Sequence, residues 1–136
     1  MMARMSSIIP SEEEEQQAFV QWLTINKIPH FHCPNEIGGQ TRSLKLRAIK
    51  MKKMGVSKGV PDLFVFIPVT GINGHIDAYQ PIAIEMKRAK NSTTSKEQKD
   101  WLKIIGLAGI PCAVCKGAEK AIEFVNSAIK EISDDN

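Results

Sequence analysis

Gly59-Val60-Pro61-Asp62-Leu63-Phe64-Val65-Phe66-Ile67 is a run of branched and aromatic residues that starts at an aspartate, and a second apolar run, Pro81-Ile82-Ala83-Ile84-Glu85-Met86-Lys87, stops at Glu-x-Lys. Composition of this kind reads as strand. Two carboxylates and an ammonium therefore stand at the border of a buried sheet. Side chains alternate along a strand, so Ala83, Glu85 and Lys87 share one face and Ile82, Ile84 and Met86 the other. Between the runs, Thr70-Gly71-Ile72-Asn73-Gly74 signals a hairpin turn, which makes the two strands antiparallel neighbours and brings Asp62 toward Glu85. Two carboxylates, with the Met86 backbone carbonyl, form an all-oxygen donor set suited to Mg²⁺ or Mn²⁺. Without a cation they repel, and one titrates abnormally high. Lys87 is placed to hold a water or a phosphate oxygen beside the ion. The plain alternative for each carboxylate alone is a solvated strand end, and for Lys87 a simple salt bridge.

Outward from this pair, the remaining elements follow from punctuation and period. Ser11 with Glu14 three residues on is a capping box and starts a helix that runs to about Asn26. His30 to Cys33 reads as a short strand, and Pro34 to Gln40 as a glycine-rich loop. A second helix is expected over about Thr41 to Met54, burying Leu44, Ala48 and Met51 and ending at Gly55. Ser95 caps a third helix to about Ala108, with Gln98 as its capping-box partner, and Trp101 on it reads as core. Pro111 to Cys115 is a fourth strand, and Gly117 to Ile132 a last helix. The fold class is α/β: a central mixed sheet flanked by helices. One globular domain is expected over 11–132, after an N-terminal arm of residues 1–10 and before a frayed tail of 133–136.

The combination Gly-Val-Pro-Asp, strand, Ile-Glu-Met-Lys-Arg, then Ser95-x-x-Gln98-x-x-Trp101-Leu102, resembles the PD-(D/E)XK nuclease superfamily, and within it the VRR-NUC (virus-type replication-repair nuclease) domain. Met51 to Asp62 and Cys33-Pro34-Asn35-Glu36 are also similar to that family, and the likeness runs from about Glu12 to about Ala121. The resemblance implies a restriction-endonuclease-like sandwich with an αβββαβ core, here carrying an extra helix before the hairpin. It implies a metal-dependent DNA endonuclease that leaves 5′-phosphate and 3′-hydroxyl ends. Small stand-alone members resemble symmetric dimers acting on branched DNA such as four-way junctions.

The resemblance also implies a first-helix glutamate that assists the metal. Of the four in a row, Glu14 is occupied in the capping box and Glu13 points away from the Phe19 and Leu23 side. Glu15 is therefore expected, with Glu12 in reserve; the plain alternative is that all four favour the positive end of the helix dipole. Gln98 is expected near the site, touching a phosphate or the lysine, without giving up its cap. Asn35 and Arg42 are the other residues expected to contact substrate, against an ordinary turn role for Asn35.

Charge distribution adds a surface. Arg42, Lys45, Arg47, Lys50, Lys52, Lys53 and Lys58 occur with no acidic residue between them, although the whole chain of 136 residues has a net charge of only +3. A basic stretch just before the proposed metal aspartate fits a surface that tracks DNA phosphates; its plain alternative is a solvated helix face. No run approaches the ~18 apolar residues of a membrane span, and Met1 to Pro10 lacks a signal-peptide core. Three cysteines without a secretory signal point to a cytoplasmic protein with free thiols. Cys112 and Cys115 fall on opposite faces of a strand, which argues against pairing them on zinc with His30, His32 or Cys33. Two other classes fit less well or equally: a non-catalytic nucleic-acid-binding module, disfavoured by the intact Asp62, Glu85 and Lys87, and a nuclease for RNA, flaps or nicked duplex.

Overall fold

The structure, a computed structural model, describes residues 8–34 and 41–135. Its elements are α1 (Glu12–Ile25), β1 (His30–His32), α2 (Arg42–Lys53), β2 (Leu63–Thr70), β3 (Ile76–Lys87), α3 (Lys96–Leu107), β4 (Cys112–Lys116) and α4 (Ala118–Asp135). The strands form one sheet in the order β1-β2-β3-β4. β1 and β3 are both antiparallel to β2, whereas β4 runs parallel to β3, so the sheet is mixed. The parallel step needs a crossover, and α3 supplies it.

Alternation sorts the residues of the central strands onto two faces. Leu63 pairs with Ile84 and Val65 with Ile82, which puts these four, with Ile67 and Met86, on one side. There they meet Phe19 and Leu23 of α1 and Ala121 and Val125 of α4 in a continuous core. The opposite face carries Asp62, Phe64 and Phe66 from the β2 side and Ala83, Glu85 and Lys87 from β3. Phe31 of β1 stacks on Phe64 with ring centroids 5.5 Å apart and lies 5.9 Å from Phe66, an aromatic cluster separate from the main core.

Local signals place the helices as expected. In α1 the Ser11 hydroxyl accepts the Glu14 amide while the Glu14 carboxylate accepts the Ser11 amide, and Ser95 and Gln98 repeat the arrangement at α3. Three expectations are corrected. The β3 strand starts at Ile76, not Pro81, because Ile67 to Thr70 continues the ladder with Gln80 back to Ile76. Helix α2 buries no residue fully, and Leu44, Ala48 and Met51 are half-buried. Ser133 to Asp135 belong to α4, because apolar positions such as Ile122, Val125, Ala128 and Ile132 hold the helix on the core to its last turn.

Candidate active site

Asp62, Glu85 and Lys87 are where the sheet makes charge expensive: they keep 7%, 1% and 8% of their surface exposed. The step beyond the Leu63–Ile84 pair sets Asp62 opposite Glu85. Asp62 Oδ2 accepts the Met86 amide at 2.7 Å, so strand β3 aims the aspartate with its own backbone. On the other side the Asp62 carbonyl accepts the Cys33 amide at 2.8 Å, which extends the β1–β2 ladder by one bond.

Gln98 ties the second carboxylate to the lysine. Its Nε2 donates to Glu85 Oε1 at 2.8 Å, while its Oε1 accepts from Lys87 Nζ at 3.0 Å and from the Ser95 amide at 2.9 Å. One amide thus serves the helix cap and the site together. The Lys87 ammonium lies 3.9 Å from Glu85 Oε1, so Gln98 is its nearer partner. The α3 N-terminus can sit this close because residue 59 is glycine. It has φ +88°, and a Cβ there would lie 2.6 Å from the Glu97 carbonyl carbon and 2.8 Å from the Gln98 amide nitrogen. The glycine of the Gly-Val-Pro-Asp motif therefore makes room for the helix that carries Gln98.

From the first helix the structure brings Glu12, and not the expected Glu15, to Asp62 and Glu85. Glu12, Asp62 and Glu85 each offer a carboxylate oxygen, and the three oxygens lie within 4.8 Å of one another. Glu15 points elsewhere: its Oε1 accepts the Ala118 amide at 3.3 Å and so caps α4. Gly117 permits the approach, since a Cβ at that position would stand 3.0 Å from Glu15 Oε2. The reason is helical rotation: three residues separate the two side chains by about 60° around the axis, and packing of α1 along α4 turns Glu15 to the partner helix. The signal for Glu12 was present in its one-turn spacing before Gln16 and the Phe19 side.

Electrostatics of the acidic group follow from burial. Desolvation raises the pKa of both Asp62 and Glu85. The Met86 amide opposes that rise for Asp62, whereas the charge of Asp62 adds to it for Glu85, which is pushed up to about 9. Burial and the facing charge thus favour the protonated form of Glu85 in the ion-free pair. No hydrogen-bond donor among the described residues reaches its buried Oε2. Three converging carboxylates, one with an unsatisfied buried oxygen, fit a hard divalent cation that takes oxygen ligands. For Met86 the structure shows the amide engaged with Asp62 and the side chain in the core.

Other expected residues fall apart from this group. Arg42, Lys45, Arg47, Lys50, Lys52 and Lys53 are exposed along α2, and Lys58 is exposed in the segment that follows it. Asn35 lies outside the described residues. Cys115 is buried with the core and its thiol is pushed up to about 11 by desolvation, whereas Cys112 donates to the Leu102 carbonyl on the α3 side. The two cysteines do point to opposite faces. The sequence reading missed His32 as part of the site: its Nδ1 lies 2.7 Å from the Asp62 carbonyl oxygen and 3.1 Å from Gln16 Nε2.

The family model of the VRR-NUC domain matches residues 4–119. The chain belongs to the VRR-NUC family. Two solved chains also match it. One of them, described as a VRR_NUC domain protein, is 26% identical, covers 90% of this chain over 91% of its own, and superposes with a TM-score of 0.68. Comparison with curated proteins finds no match. VRR-NUC membership makes this a nuclease-family domain. No helix among the described residues is long and apolar enough to cross a membrane.

Proposed function

We propose that this VRR-NUC domain is a metal-dependent endonuclease that hydrolyses phosphodiester bonds in DNA, with Glu12, Asp62 and Glu85 holding Mg²⁺ or Mn²⁺. The observation that carries this reading is the convergence of three carboxylate oxygens within 4.8 Å of one another where the two central strands meet the start of α1, beside a restrained lysine. Structural salt bridges do not need this arrangement, because like charges so placed repel. Both carboxylates of the Asp62–Glu85 pair ionise together only opposite a cation.

When bound, such a cation supplies charge stabilisation for the scissile phosphate and acidifies a water. The chain's own groups do the rest. The Met86 amide fixes Asp62 and Gln98 fixes Glu85, so both carboxylates are held in place beside each other. Lys87 Nζ, held by Gln98 and nine-tenths buried, keeps ammonium protons to spare for an attacking water or a non-bridging phosphate oxygen. The exposed lysines and arginines of α2 would track the phosphate backbone.

Family likeness supports the finer part of the proposal: branched DNA, such as a four-way junction, cut by a homodimer. One chain shows one acidic group among its described residues, and a twofold dimer presents two. The deciding experiment compares matched linear, flap, nicked and four-way-junction DNA, and an RNA control, with and without Mn²⁺. Cleavage that requires the cation and is lost in Asp62→Asn supports the nuclease, and preference for the junction supports the branched substrate. Cation-independent binding without cleavage of any polymer would leave a nucleic-acid-binding module.

A further inference from the structure

The acidic group draws its carboxylates from elements that meet only in the tertiary fold: Glu12 from the first turn of α1, Asp62 from the residue before β2 and Glu85 from β3. The Met86 amide fixes Asp62 against β3, and the core contacts of Phe19 and Leu23 hold α1 on the sheet about two and three turns beyond Glu12. Nearer to Glu12, one hydrogen-bonded chain runs from Gln16 through His32 to Asp62. Gln16 is one turn beyond Glu12 on the same side of α1, and His32 ends β1 directly beside the aspartate.

We infer that His32 is a positioning residue of this site, fixing the α1 carboxylate against Asp62; the inference rests on the metal-site reading above. The carbonyl oxygen of Asp62 can only accept, so the imidazole Nδ1 at 2.7 Å carries the proton and donates it. Gln16 Nε2 stands 3.1 Å from the same Nδ1; with the proton on Nδ1, this contact becomes a hydrogen bond when the Gln16 amide turns its oxygen to the ring, so that one N–H is shared between the two acceptors. With the Cys33 amide at 2.8 Å, the Asp62 carbonyl has both acceptor directions used, and the peptide that carries the side chain is locked. His32 also lines a groove of about 740 Å³ together with Glu12, Glu13, Gln16 and Gln17 of α1. The action of His32 runs through Asp62 and Gln16; substrate contact plays no part in it. Groups that orient metal ligands from behind commonly govern affinity by about 10- to 100-fold. The simpler account is a strand-end surface residue, since the Cys33 bond would hold β1 to β2 without it.

Calorimetric titration with Mn²⁺ of the full chain separates the two, with Glu85→Gln as the control that abolishes binding. His32→Ala should weaken Mn²⁺ binding about 10- to 100-fold, with the melting temperature of the ion-free protein close to that of wild type. His32→Asn places an amide N–H where Nδ1 stands and should restore affinity to within a few-fold. Gln16→Leu breaks the same chain on α1, away from the strand, and should also weaken binding; it keeps the test decisive if His32→Ala folds poorly. Wild-type affinity in His32→Ala and Gln16→Leu overturns the inference alone. Equal losses in His32→Ala and His32→Asn overturn the Nδ1 route. A wild-type chain that binds no Mn²⁺ removes the metal site and the inference with it.

Discussion

Glu85 is a carboxyl with 1% of its surface exposed, facing a second carboxyl, and its state decides what the ion-free protein tolerates. Its ordinary pKa of 4.5 is raised to about 9 by burial and by the charge of Asp62. A group whose folded pKa lies above its unfolded value contributes stability below the unfolded pKa. That contribution is lost as pH rises through the folded one. The ion-free wild type should therefore lose stability steadily from about pH 5 toward pH 9. Glu85→Gln keeps the shape without the titrating carboxyl, so its stability should fall less across that window, the remaining loss coming from Asp62, and exceed wild type at pH 8 by a few kcal/mol. Thermal melts in chelator at pH 5 and pH 8 measure the difference. Parallel losses in both proteins would show that Glu85 ionises freely when folded. The same variant should lose Mn²⁺ binding and cleavage, a stabilised protein without function.

At the scale of elements, the start of α3 and the exposed helix α2 carry different burdens. Gly59 lies under the first turn of α3 with φ +88°, and any β-carbon there must push the Glu97–Gln98 backbone away. Gly59→Ala should therefore cost about 2 kcal/mol or more, from positive φ together with the clash. It should also lower cleavage more than tenfold, as Gln98 withdraws from Glu85 and Lys87. A melt combined with single-turnover cleavage checks both, and wild-type activity in a folded Gly59→Ala would mean that Gln98 does not organise the site. Helix α2 has no fully buried residue and ends on Lys50, Lys52 and Lys53. Neutralising these three should weaken DNA binding across sequences and flatten the salt dependence by about one unit of slope for each phosphate no longer neutralised. Unchanged slopes would place this helix away from the DNA.

For the molecule as a whole, the number of acidic groups per chain sets the expectation. A single acidic group cannot incise two strands of a four-way junction symmetrically without moving, whereas a twofold pair can. The protein should therefore scatter light as a homodimer and nick junctions in symmetry-related pairs, mapped on all four strands. A monomer that cuts linear and branched DNA at equal rates would leave the metal chemistry intact and remove the junction preference.

The sequence by itself determined whatever local chemistry encodes. Continuous runs of branched and aromatic residues defined β2 and the inner half of β3, the glycine-rich turn made them antiparallel, and Ser11 and Ser95 marked helix starts through bonds that span three residues. Glu85 and Lys87 were legible because strand parity puts them on one face, and Asp62 because the hairpin turn pairs its strand with theirs. The cap made by Gln98 was legible because it is local, whereas its place beside Lys87 was expected from the family resemblance alone. The choice between Glu12 and Glu15 was different: both sit on the same acidic turn, and rotation of α1 against α4 decides which faces the sheet. His32 was equally hidden, since its partners are 16 and 30 residues away in sequence. Periodicity fixes which side chains share a face of one element, whereas the rotation of one element against another is set by packing across the whole core, and only the tertiary structure holds that information.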